Sequence, residues 1–142
     1  MTGHQDAEYR MKMAQGFLSE ARQDSELRRW RSVVDNAQLA AENAAKAVLA
    51  LVAPVGRARS PAGELREALK EGLFAASYQR EIEGLAEKAE MLGPDIHMRT
   101  DYGDEVGGRT PWELFGEADA GQALSIAEEA IALAQAIIQR VT

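Results

Sequence analysis

Apolar positions recur along most of this chain at the three- and four-residue steps of an amphipathic helix. Between about Asp6 and Leu27, Ala7, Met11, Ala14, Leu18 and Ala21 fall on one stripe, which Phe17 widens, while Arg10, Lys12, Glu20 and Arg22 lie largely outside it. A second helix is predicted from Leu27 or Arg28 to Ala53. No Gly or Pro separates the two, which leaves one continuous helix as the alternative to the expected turn at Gln23 to Glu26. Trp30, Val33, Ala37, Ala40, Ala41, Ala44, Val48 and Leu51 form its buried face. Small residues there let a neighbouring helix approach toward the short end of about 8–10 Å. Pro54 and Gly56 end this helix.

Gly56 to Ser60 reads as a loop, and Ser60 before Pro61 as a hydroxyl-capped helix start. The short third helix then carries Leu65, Leu69 and Leu73, and a fourth spans roughly Ser77 to Leu92 with Ile82, Leu85, Ala89 and Leu92 inward. Gly93-Pro94 is read as its stop, and Gly93 to Gly116 as the longest irregular segment, with one helical turn at Thr110-Pro111-Trp112-Glu113 on a capping-box spacing. A last helix runs from about Glu117 to Val141 through Ala120, Leu124, Ala127, Ile131, Ala134, Ile138 and Val141. No segment alternates with period two over a useful length. The pattern predicts an all-α, up-and-down bundle of four to five helices in a single domain over residues 1–142.

The second helix has two unlike faces. Opposite its alanines run Asp35, Gln38, Glu42 and Lys46, three or four residues apart, with Glu42 and Lys46 in the favourable order for an ion pair. Such a row is either a solvated face or a polar seam lining a cleft between helices, where ligands often sit.

Composition narrows the classes. The formal net charge of −7 argues against indiscriminate nucleic-acid binding, which needs cations for the phosphates. A local basic patch is possible at Arg22, Arg28, Arg29 and Arg31, with Arg57 and Arg59 further on; its alternative is a solvated helix end. The absence of cysteine excludes disulfides, thiol catalysis and cysteine metal sites. No apolar run approaches the roughly 20 residues that span a bilayer, and the N-terminus lacks a signal-peptide core, so a cytoplasmic protein without membrane contact is expected.

Candidate chemistry is sparse. There are two histidines, His4 and His97. His97 with Asp95 and Asp101 matches no known metal cage, and no metal or other cofactor is expected. Gly103 and Val106 to Arg109 could bare backbone N–H groups to a phosphate, but match neither a P-loop nor a dinucleotide fingerprint. Arg99 could clamp a phosphate and Tyr102 stack on a base; otherwise they are a salt bridge and a loop anchor. No serine, histidine and acid stand in a recognisable nucleophile setting.

Three pieces carry a family likeness: Gln38 to Leu49 in the second helix, Arg99 to Tyr102, and Pro111 to Leu124 entering the last helix. In this order they resemble the HEPN domain, the nucleotide-binding module named for higher eukaryotes and prokaryotes. The resemblance implies a helical bundle, commonly a homodimer, often acting beside a small nucleotidyltransferase as the toxin of a toxin–antitoxin pair. Active members are metal-independent ribonucleases with an arginine followed after four to six residues by a histidine. Here no histidine follows Arg99 or Arg109, and His97 precedes Arg99. RNA cleavage by general acid–base chemistry needs a group titrating near neutrality, naturally histidine. The expectation is therefore a non-catalytic module, with Asp35, Gln38, Glu42, Lys46, Arg99 and Tyr102 holding a nucleotide, or with a partner protein as its ligand. The alternative is a ribonuclease with a non-standard set of His97, Arg99, Tyr102 and a polar residue of the second helix.

Overall fold

The computed structural model describes residues 2–55 and 60–141. Helix α1 spans Gly3–Glu26 and starts earlier than the apolar stripe does, because Thr2 and Gln5 form a capping box ahead of it. The chain turns at Leu27 to Arg29, a few residues beyond the expected site. Arg28 takes φ 59°, the Arg28 N–H donates to the Ser25 carbonyl and the Arg29 N–H to the Asp24 carbonyl. This is a Schellman stop with arginine where glycine is usual.

Helix α2, Trp30–Ala50, is the central element and packs on α1, on α7 (Glu117–Val141) and on the four shorter α-helices between them in sequence. It is therefore buried nearly all round: its alanines, Gln38 and Lys46 are buried, and Asp35 and Glu42 are half-buried. Gly3 is needed where α1 begins, since a Cβ there would meet the Ala50 carbonyl oxygen at 2.6 Å. The stripe of α1 from Ala7 to Ala21 is covered within the chain, as is that of α7 from Ala120 to Ile137. On α7 the buried line includes Ala123, Ile126 and Ala130, which leaves Val141 exposed.

Helix α3 spans Pro61–Lys70. Ser60 occupies its cap position but makes no side-chain capping bond, and Pro61 supplies the start alone. Leu73, read as part of this helix, lies beyond its end and is exposed; Phe74 is buried instead. Gly56, Arg57 and Arg59 fall outside the described residues. A 3₁₀ turn at Ala76–Tyr78 leads into α4, Gln79–Met91, whose Ile82, Leu85 and Ala89 are buried, as is Leu92 just after it.

The largest difference from the sequence reading is α5, Pro94–Tyr102, in the segment read as irregular. Gly93-Pro94 stops α4 and also starts α5, with Gly93 as N-cap and proline in the first turn. The single turn expected at Thr110 is present as α6, Pro111–Leu114, with its capping box. Between α5 and α6, Asp104 and Arg109 exchange backbone hydrogen bonds across a tight loop. The all-α bundle is thus as expected, with α5 added. No described helix is long and apolar enough to cross a membrane.

Candidate functional site

The polar row of α2 does not face solvent. Its first two members, Asp35 and Gln38, meet α5 together with Arg31. His97, Thr100 and Asp101, spaced to share one face of α5, oppose Arg31, Asp35 and Gln38 of α2. The Arg31 Nε donates to the Thr100 carbonyl at 2.6 Å, closing one of the open carbonyls at the end of α5, and its other arm reaches Asp101 at 3.4 Å. The Thr100 hydroxyl lies 3.3 Å from the Asp35 carboxylate and 2.7 Å from the His97 carbonyl. The Gln38 amide oxygen sits 3.2 Å from His97 Nδ1, and its nitrogen donates to Glu42. Glu42 in turn pairs with Lys46 at 3.3 Å, with both side chains largely buried.

Four of the six expected site residues, Asp35, Gln38, Glu42 and Lys46, thus belong to one network. Arg99 and Tyr102 do not join it. Arg99 pairs with Asp95 one turn back on the outer side of α5, and Tyr102 is 61% exposed. The same geometry separates the proposed ribonuclease set: His97 turns to α2, while Arg99 and Tyr102 face away from it. Asp95 is occupied by Arg99, and among the described residues no three acids or histidines are placed to hold a metal ion.

The glycine-rich loop is closed on itself. The Gly107 N–H donates to the Asp104 carboxylate, which a side chain at Gly107 would strike, so this amide is not bared for a phosphate. That hydrogen bond, helped by Arg109, holds the Asp104 carboxyl below its usual range. Next to it the Thr110 hydroxyl and backbone N–H lower Glu113 likewise. Gly103 is required where the loop leaves α5: its φ is 70°, and a Cβ would collide with the Arg109 carbonyl.

The basic patch divides. Arg22 pairs with Glu128 of α7, and Arg31 is tied to α5. Arg28, Arg29 and Arg31, with Trp30, Trp112 and Phe115, line a cleft of about 450 Å³ between the α1–α2 turn and α6. Arg28 lies 5.8 Å from the centre of the Trp30 ring, and Arg31 the same distance from that of Trp112. The arginine run is visible in the sequence. Its meeting with Trp112, eighty residues on, is not, because only the tertiary packing of α6 against α2 and α5 creates it.

Compared with known proteins, the chain matches the HEPN domain family over residues 7–141, nearly its whole length. No curated protein and no solved structure matches it.

Proposed function

The chain belongs to the HEPN family, and from that premise we propose that it is a single non-catalytic module that binds a nucleotide or short RNA. The observation that carries this is the fate of His97. It stands ahead of Arg99 instead of four to six residues behind it, and its ring is held between Gln38 and Asp101. The row Asp35, Gln38, Glu42 and Lys46 then serves as the frame that fixes α5, with its polar groups committed to one another. Calorimetry with a panel of nucleotides and short RNAs tests the reading. Heats of saturable binding without cleavage are expected. Absence of binding, with a protein recovered by pull-down, makes it a pure interaction module.

The same proposal extends to a cytoplasmic homodimer that works beside a small nucleotidyltransferase. The buried alanine stripes of α1 and α7 lend the dimer no support, since one chain covers them. Light scattering that returns the monomer mass at high concentration would remove it. Co-purification with the product of an adjacent nucleotidyltransferase gene tests the pairing.

One observation favours ribonuclease activity instead: a histidine, a buried amide and a guanidinium converge where α5 lies on α2. Incubation of labelled RNA with wild type, His97→Ala and Arg31→Ala decides it. Equal, background-level cleavage in all three excludes this second reading.

A further inference from the structure

We infer that the cleft between the α1–α2 turn and α6 is the binding site for one phosphorylated nucleobase unit. Arg28 and Arg29 hold the phosphate and the indole of Trp112 stacks on the base. The inference rests on the nucleotide-binding reading and gives it a place and a chemistry.

Four observations converge on it. First, the two arginines are left without a carboxylate partner. In a chain with 23 acidic residues, Arg10, Arg22, Arg31, Arg66, Arg99, Arg109 and Arg140 each pair with a carboxylate. Arg28 and Arg29 are adjacent and exposed and, like Arg80 on α4, make no ion pair among the described residues; the Arg28 guanidinium touches only the Trp30 ring. Second, Arg28 sits at φ 59°, a conformation that glycine adopts without cost and arginine does not. Backbone strain of this kind collects where a side chain must be presented.

Third, Trp112 is 72% exposed and yet fixed. Pro111 beside it is buried, the Thr110–Glu113 capping box sets its helical turn, and Arg31 lies against its ring. A large aromatic held rigid in water is a stacking platform, and stacking on indole accepts any base. Fourth, the surface is concave, and its volume falls within the range of small-molecule sites.

The combination selects the ligand class. Guanidinium groups recognise phosphate oxygens in a planar, two-pronged fashion. Inorganic phosphate would use Arg28 and Arg29 but leave the indole idle; an apolar partner would use Trp112 but strand the arginines. A nucleotide, free or as one residue of an RNA strand, uses both.

Both tryptophans of the chain line this cleft, so tryptophan emission, excited apart from that of the three tyrosines, reports on it. Titrations with AMP, adenosine, inorganic phosphate, and an eight-residue RNA with and without a 5′-phosphate test the site. Saturable quenching by AMP is expected, with affinity at least tenfold above adenosine and above phosphate. Arg28→Glu with Arg29→Glu, both exposed and so compatible with folding, should weaken AMP binding tenfold or more. Trp112→Leu, followed by calorimetry, should do the same, and Arg80→Glu on α4 should change nothing. RNA binding more than tenfold above AMP assigns the unit to a strand, and comparable affinity assigns it to a free nucleotide; either supports the site. Equal AMP affinity in the double variant overturns it. So does phosphate binding as tightly as AMP, or saturation by an acidic peptide but not by AMP. If calorimetry detects nucleotide binding that neither quenches fluorescence nor responds to the arginine variants, the cleft is wrong and the nucleotide-binding reading survives. If no nucleotide or RNA gives heat, both fall.

Discussion

Gln38 is buried with its amide shared between two helices, accepting or facing the His97 ring on one side and donating to Glu42 on the other. Replacing it with leucine keeps most of the volume and removes both partners at once. His97 Nδ1 is then left beside an apolar group, which costs about 1–3 kcal/mol. A lower midpoint in urea at unchanged slope is the expected result; an unchanged midpoint would mean that water replaces the amide. Arg28 invites the opposite experiment. Arg28→Gly relieves the left-handed backbone and loses some unfolded-state restriction, for a net gain of roughly 0.5–1 kcal/mol. If the arginine is there for a ligand, the same change weakens AMP binding, so stability and affinity move in opposite directions. At this scale the sequence was informative for α2, because Asp35, Gln38, Glu42 and Lys46 share a helical face whatever that face meets. Arg99 and Tyr102 were grouped with them by chemical type and by the family likeness of their segment, with no helical face to place them. Helical geometry sets Arg99 and Tyr102 on the opposite side of α5 from His97 and Thr100.

Helix α5 was illegible for a physical reason. It is nine residues long and has only Ile96 and Met98 as aliphatic members, so no apolar period stands out. Its order comes from polar contacts with α2, made by residues sixty to seventy positions earlier. By contrast α6 is a single turn and was readable, since its capping box and proline are local signals. The loop joining the two should be acid-sensitive. Asp104 is held low chiefly by the Gly107 N–H and then by Arg109, and Glu113 by the Thr110 hydroxyl and N–H. A carboxyl whose folded pKa lies below its unfolded one stabilises the fold above the unfolded value, and loses that contribution as pH falls through the folded value. The loop is therefore expected to hold at neutral pH and to loosen in acid, below the usual carboxylate range. In a Trp30→Phe background, Trp112 emission should report this transition. Asp104→Asn with Glu113→Gln should flatten it, since glutamine can keep the cap without titrating. Superimposable titrations of the two proteins would remove the idea.

The whole molecule is organised around one helix. Ala37, Ala40, Ala41, Ala44, Ala45 and Ala47 are all buried in α2, and their small side chains let α1 and α7 close on it from two sides. Ala44→Leu adds three carbons where no space is left and should cost about 1–3 kcal/mol or force the helices apart. Thermal unfolding measures the first; a loss of near-ultraviolet circular dichroism reveals the second. The bundle itself was legible because its stripes are long and regular, and a stripe records which side is buried. It does not record by what: the stripes of α1 and α7 are covered within one chain.

Arg31 belongs to both halves of this architecture: its guanidinium closes the end of α5 and also lies against Trp112. An occupant that draws this cation toward its own phosphate must loosen Asp101, and Asp101 is the acid 3.8 Å from His97 Nε2. Linkage is reciprocal, so whatever an occupant of the cleft does to the end of α5, a change at the end of α5 does to the cleft with equal free energy. Nitrogen-15 resonances of His97, recorded across a ligand titration, would show a remote response with no contact between ligand and ring. Stationary resonances at saturation would instead make Arg31 a rigid wall.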